Sequence, residues 1–164
     1  MLRTTVVVLA AVFATAYGCA KPPPAVVTTT AAAVPRPGVN VSPQIVALCK
    51  IKFGDIDGAP KFDYDEAALL PQDRDVLAQV ARCMTSGALR MKRLALLGRA
   101  DPRGEEEYNM LVGTRRAEIV QDYLLHLGVP PKDIIQTSRG ALDAEGKDEA
   151  GWQRDRRVDL LIIY

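Results

Sequence analysis

The sequence predicts an α/β fold of the α+β kind, a two-layer sandwich in the order strand–helix–strand–helix–strand–strand. Three observations point to it. A segment near residue 61 alternates polar with aromatic side chains. Two later runs are apolar over strand length, and two segments carry apolar residues at helical spacing.

The elements follow in order. Lys61-Phe62-Asp63-Tyr64-Asp65 alternates as a half-buried strand would. Between Pro71 and Met84, the residues Val76, Leu77, Val80, Ala81 and Met84 recur at helical spacing, with Pro71 suited to the first turn. Met91 to Gly98 reads as a buried strand. Glu105 to Leu127 is the longest helix: Glu105, Glu106 and Glu107 complement its N-terminal dipole, and Gly128-Val129-Pro130-Pro131 forms a stop. Ile134 to Ser138 is a short strand and Arg157 to Tyr164 the last one. No internal repeat is visible.

A chain of 164 residues has room for one domain, and its 25% charged and 48% apolar residues are ordinary for a globular protein. With 21 basic and 20 acidic side chains it lacks the basic surplus of a nucleic-acid binder. One His and three Cys argue against a metal centre, and no metal or cofactor is expected. There is no Gly-x-Ser-x-Gly, no phosphate loop and no Cys–His pair with an orienting group, so no catalytic residue is assigned and an enzyme is not expected. His126, near the end of the long helix, reads as solvated or dipole-linked.

The charges divide the chain. Residues 1–44 hold Arg3, Lys21 and Arg36 and no acid, so the remainder is slightly acidic. Residues 1–18 read as a secretory signal: Arg3, then an apolar run from Val6 to Ala14 that is too short to span a bilayer as a helix. Ala16-Tyr17-Gly18-Cys19 resembles the lipobox of bacterial lipoproteins, in which the cysteine is lipidated and becomes the new N-terminus. Ala16 stands where that motif usually has Leu. The resemblance implies a lipid anchor on Cys19, and Ala20, in place of an Asp, implies the outer membrane. Several acyl chains on one residue anchor durably where one does not. Residues 19–44 form a tether, rich in Pro, Thr and Ala, with Pro22, Pro23, Pro24, Pro35, Pro37 and Pro43. The globular domain is expected over 45–164.

With Cys19 assigned to lipid, Cys49 and Cys83 remain in a chain exported to an oxidising compartment, and a disulfide between them is expected. Two buried free thiols are the alternative.

The long helix carries an anomaly. On a wheel of 100° per residue, Val112, Ile119, Val120, Tyr123 and Leu127 share an arc of about 100°, and Asn109 and Arg116 fall inside it. A guanidinium and an amide on a buried face need partners. Asp101 lies just before the helix, at the end of the buried strand. Asp101 could instead cap the turn at Pro102, or pair with Arg116 alone. Arg156 and Arg157 read as a charge pair at the start of the last strand, with contact to a ligand as the lesser alternative, and Phe62 and Tyr64 as strand core or cleft lining.

Gly98-Arg99-Ala100-Asp101-Pro102-Arg103-Gly104, then Glu107-Tyr108-Asn109 and Arg115-Arg116-Ala117, resemble the OmpA-like (Pal-type) peptidoglycan-associated domain. That family's motif runs Gly-x-Thr-Asp-x-x-Gly, then Tyr-Asn and Arg-Ala at matching spacings. The likeness runs from about Phe62 to Tyr164 and includes Asp122-Tyr123-Leu124, Gly128-Val129, Ser138-Arg139-Gly140 and Asp155-Arg156-Arg157-Val158. It implies non-covalent binding of meso-diaminopimelate in the peptidoglycan stem peptide, with Asp101 on the ammonium, Arg116 on the carboxylate and Asn109 in support. A carboxylate and a forked guanidinium match the amine and acid on one carbon. Ala100 replaces the usual Thr, and Asp155 replaces the Asn of the Asn-Arg-Arg stretch. Such a protein would tether the outer membrane to the wall from the periplasmic side, with an envelope protein as a further partner. The alternative is an interaction module of the same fold that binds protein and not peptidoglycan.

Overall fold

The computed structural model describes residues 39–53 and 62–164. The signal segment 1–18, Cys19, the tether up to residue 38, and Lys61 lie outside the described residues.

The sandwich is present: a four-stranded sheet with helices packed on it. The elements are β1 (Val39–Val41), α1 (Pro43–Cys49), α2 (Pro71–Ser86), β2 (Arg93–Arg99), α3 (Glu106–His126), β3 (Ile134–Gly140), α4 (Glu149–Asp155) and β4 (Val158–Ile163), with one 3-10 turn at Pro131–Asp133. The strand order is β1-β4-β2-β3. β2 and β3 run parallel, joined by α3 as the crossover, while β4 runs antiparallel to β2 and parallel to β1.

The core forms where α2 and α3 meet the sheet. In β2, Leu94 and Leu96 are buried while the residues between them are partly open. They pack with Val158 and Leu160 of β4, Val76, Leu77 and Val80 of α2, and Ala117, Val120 and Leu124 of α3. Gly128 (φ 88°) ends α3, donating its N–H to Leu125 O at 2.9 Å, and the next N–H returns to Leu124. No helix among the described residues is long and apolar enough to cross a membrane.

Three expectations are corrected. The first concerns the opening strand, which is β1 and not Lys61–Asp65. Phe62 and Asp63 lie outside the sheet, Tyr64 and Asp65 form a turn, and Asp65 is left-handed (φ 56°). Two arginine side chains use the carbonyls of this stretch, as set out below, so no strand partner takes them. The second concerns the domain boundary. β1 lies inside the 19–44 stretch read as tether, pairing Val39 with Val158 and Val41 with Leu160, so the folded part includes residues before Ile45. Two valines among prolines and threonines are too short a signal to stand out from a linker. The third is that α1 and α4 are additional helices; each has 7 residues, below the length at which periodicity can be read.

The apolar stripe of α3 is also rotated from the expected one. Ile119 is exposed, and the buried face runs through Val112, Gly113, Ala117, Val120 and Leu124 together with Asn109 and Arg116. The small residues Gly113 and Ala117 carry it, because there the helix lies close to the sheet. A Cβ built on Gly98 of β2 would meet Gly113 O at 1.8 Å, so the two backbones touch directly.

Cys49 at the end of α1 and Cys83 in α2 are joined by a disulfide, with their Cα atoms 5.6 Å apart. The bond spans 34 residues and fastens α1, which makes few other helix contacts, to α2. By the chain-entropy model such a loop contributes about 3–4 kcal/mol. Reduction, or the Cys49→Ser/Cys83→Ser pair, is therefore expected to lower the unfolding free energy by about that amount in urea titration. An unchanged midpoint would show that the bond does not constrain the unfolded chain.

Candidate functional site

The C-terminal end of β2, the N-terminal half of α3 and the 62–66 turn meet at a cleft. Tyr64, Asp101, Arg103, Tyr108, Asn109 and Arg116 contribute to its walls. All three residues singled out from the sequence as ligand contacts are thus brought together. Asp101 is 4% exposed, Asn109 5% and Arg116 1%.

Arg116 is held by backbone. Its Nε donates to Glu66 O (2.9 Å), Nη1 to Arg99 O (2.9 Å) and Nη2 to Asp63 O (3.0 Å). The guanidinium carbon also lies 5.2 Å from the centroid of the buried Phe62 ring. A guanidinium has five N–H donors. One on each terminal nitrogen is left without a partner among the described residues. Burial, reinforced by the nearby charge of Arg156, pushes the Arg116 pKa down to about 10, so the group stays cationic at neutral pH. The Asn109 amide likewise has no hydrogen-bond partner among the described residues.

Asp101 does not pair with Arg116. Its Oδ1 accepts from the Arg103 backbone N–H (3.1 Å) and Arg103 Nε (3.1 Å), and its Oδ2 from Arg103 Nη2 (3.1 Å) and Arg156 Nη1 (3.0 Å). The turn-capping role open in the sequence is therefore real, since the carboxylate closes the turn at Pro102 onto Arg103. Burial alone would raise the Asp101 pKa. The hydrogen bonds from Arg103 and Arg156 outweigh it and hold the carboxyl below the usual carboxylate range.

The sequence reading missed the partners. Arg156, read from the sequence as one of a charge pair at a strand start, is 1% exposed and donates to Phe62 O (2.8 Å), Asp101 and Glu149 Oε1 (2.7 Å). Arg157, its neighbour, points the other way and pairs with Asp159 at 2.8 Å. Arg103 lies with its guanidinium carbon 4.3 Å from the centroids of both Tyr64 and Trp152. Tyr64 is exposed cleft lining, whereas Phe62 is core. The Tyr108 hydroxyl donates to the Asp65 carboxylate, and that bond raises the Tyr108 pKa. Arg103 sits inside the quoted motif and could have been weighed there. Nothing local marks Arg156 as buried, since its burial depends on α4, which the sequence does not announce.

Asp155, one of the two departures from the motif, is 4% exposed and accepts the N–H groups of Glu145 (3.2 Å) and Gly146 (2.9 Å). It holds a loop and is not part of this cleft. Ala100, the other departure, is buried at the cleft wall.

Comparison with known proteins gives concordant results. The family model described as the OmpA family matches residues 61–157, more than half of the chain. The chain is 36% identical over 104 residues to outer membrane protein A of Bordetella avium, covering 62% of this chain and 53% of that protein. It is 39% identical over 101 residues to a peptidoglycan-associated lipoprotein of Pseudomonas putida, covering 60% and 59%. The chain thus spans somewhat over half the length of these curated relatives. Among solved structures it resembles the peptidoglycan-associated lipoprotein from Burkholderia pseudomallei, with TM-score 0.59 and 34% identity over 63% of this chain and 87% of that one.

The Asp101 bonds have a pH signature. A carboxyl whose folded pKa lies below its unfolded value of about 3.9 contributes stability that is complete above that value and lost as pH falls through the folded pKa. Asp101→Asn removes one of the two carboxylates paired with the buried Arg156, Glu149 being the other, and is expected to cost about 1.5–3 kcal/mol at pH 7. Thermal melts of wild type and Asp101→Asn are expected to differ at pH 7 and to converge below about pH 4. A gap that does not narrow at all as pH falls from about 5 to about 2 would remove the carboxylate's charge from the explanation.

Proposed function

The chain belongs to the OmpA family, and from that membership and the cleft we propose that it is a binding module that holds peptidoglycan non-covalently in the cell envelope. The ligand group is meso-diaminopimelate of the stem peptide, with the carboxylate on Arg116, the ammonium on Asp101 and Asn109 in support. The observation that carries this reading is the unspent hydrogen-bonding capacity of the buried Arg116 and Asn109 in one cleft with Asp101. Evolving a guanidinium at 1% exposure costs several kcal/mol of desolvation, which three carbonyl bonds offset; the two spare N–H groups are then preorganised for an anion. A planar fork selects a carboxylate over a point charge. Relatives called peptidoglycan-associated lipoproteins support peptidoglycan as the ligand, without specifying the group that is bound.

Placement in the envelope follows the same reading. The apolar leader, Cys19 and the proline-rich stretch make a lipid-anchored, tethered domain that faces the wall from the outer membrane. Cys19→Ser is expected to abolish incorporation of labelled fatty acid and partitioning into membranes. A wild-type chain that takes up no label would make the segment an ordinary cleaved signal.

The ligand assignment is tested with wall material. Lysine-type sacculi lack the carboxylate that Arg116 would hold. Each charge-assisted bond contributes about 1.5–3 kcal/mol, so wild-type chain is expected to bind them roughly tenfold to a hundredfold more weakly than diaminopimelate-type sacculi. A folded Arg116→Gln variant is expected to lose that preference. Equal binding of both wall types by the wild type would overturn the assignment.

A further inference from the structure

The carboxylate proposed to receive the ligand's ammonium is already fully used. A carboxylate has about four lone-pair positions. In Asp101 all four are taken: two on Oδ1 by the Arg103 backbone N–H and Nε, and two on Oδ2 by Arg103 Nη2 and Arg156 Nη1. The four donors are not equivalent. Arg156 is buried and fixed by Phe62 O and Glu149 as well. The Arg103 backbone N–H belongs to the turn. The Arg103 side chain, by contrast, is 33% exposed and lines the cleft. Its departure frees one position on each oxygen, the pair that a single ammonium with three N–H donors can bridge.

We propose that Arg103 is a displaceable latch, an internal cation that occupies the ammonium position on Asp101 and must swing aside for the ligand's amine to bind. The proposal rests on the reading of Asp101 as the ammonium's partner and adds the residue that competes with the ammonium for it. The released guanidinium has a second position at hand. Glu149 Oε2 lies 3.7 Å from Arg103 Nη1, closer to an ion pair than to a hydrogen bond, and the Glu149 side chain is mostly exposed. The Tyr64 and Trp152 rings, each 4.3 Å from the guanidinium, supply faces on which it can slide from Asp101 to Glu149 without losing its cation–π contacts. Asp101 trades one cation for another in the exchange, while Glu149, already within ion-pair distance of Arg103, takes it into a closer pair. A ligand without an amine has nothing to place on Asp101 and leaves the latch closed, so Arg103 lowers the affinity for amine-bearing stems and leaves that for amine-free ones unchanged.

The test titrates the full-length chain, its Arg103→Ala variant and its Glu149→Gln variant calorimetrically. The probes are a stem tripeptide ending in meso-diaminopimelate and the same peptide acetylated on its side-chain amine. Arg103→Ala is expected to bind the amine-bearing peptide about tenfold more tightly than wild type and the acetylated one no better. Glu149→Gln, which removes the second position, is expected to bind the amine-bearing peptide severalfold more weakly. Wild-type binding with Arg103→Ala equal or weaker overturns the latch and leaves the site's assignment standing. An unchanged affinity in Glu149→Gln overturns the two-position scheme. Absence of binding by wild type and Arg103→Ala alike overturns the latch and the assignment together, whereas binding by Arg103→Ala alone supports both. Should Arg103→Ala not fold, Arg103→Gln keeps most of the stem, drops the charge and is read the same way.

Discussion

Helix α3 lies backbone to backbone on strand β2, because Gly98 and Gly113 face each other with no side chain on either. A Cβ at Gly98 would stand 1.8 Å from the Gly113 carbonyl oxygen, and one at Gly113 would stand 2.2 Å from Ser138 Oγ of β3 and 3.0 Å from Gly98 O. Neither clash can be relieved by turning a flexible side chain at Gly98, where the obstacle is backbone. The height of the helix over the sheet is therefore set at one point, and the residues of the cleft are counted from it. Asn109 lies one turn before Gly113 and Arg116 one turn after, on the same face. Asp101 lies three residues beyond Gly98, just past the strand's end. From this height the Arg116 side chain reaches Arg99 O, the carbonyl next to Gly98.

Once placed, Arg116 organises chain that has no secondary structure. Its other two bonds go to Asp63 and Glu66, and Arg156 reaches the neighbouring Phe62 O. Two buried guanidiniums thus take the carbonyls of one turn, and the turn brings Tyr64 and Asp65 to the cleft rim. The like charges of Arg116 and Arg156 oppose each other, which is part of why the Arg116 pKa falls. Asp101 and the ring of carbonyls compensate. Truncating either arginine would strand several polar groups at once, so their effects on folding and on binding need separate measurement.

Much of this arrangement is legible in the sequence, and the gaps have physical causes. Strands β2, β3 and β4 and the two long helices follow from periodicity, and the expected bounds of α3 lie within a residue of the observed ones at each end. Asn109 and Arg116 stood out as polar residues on an apolar arc, a signal that survives without any knowledge of the sheet. The exact face of α3 was misjudged because Gly113 and Ala117 add little hydrophobicity to a wheel yet mark where two backbones meet. Val39–Val41 was hidden among linker residues, since three residues cannot display alternation. Lys61–Asp65 alternates like a strand, but its carbonyls are committed to arginine side chains that come from 50 and more residues away. Arg156 carries no local mark of burial.

The stretch Asp155–Arg156–Arg157 shows how three adjacent charged residues come to serve three separate tasks. Asp155, the last residue of α4, accepts two backbone N–H groups from the 145–146 loop. As the chain leaves the helix and extends into β4, successive side chains take opposite sides. Arg156 passes to the helical side and reaches Asp101, while Arg157 passes to the other face of the sheet and pairs with Asp159. Asp159 also accepts from Asn40 of β1 at 2.8 Å and pairs with Arg99 of β2, so the far face ties three strands by charge where the near face ties them by apolar packing. Arg99 joins the two sides, its carbonyl accepting from Arg116 while its guanidinium pairs with Asp159 and Asp143. The carbonyl that orients the buried Arg116 guanidinium is accordingly held by a residue anchored through the sheet. The cleft therefore stands on rigid strand and helix backbone, and its adjustable parts are the exposed side chains at the rim.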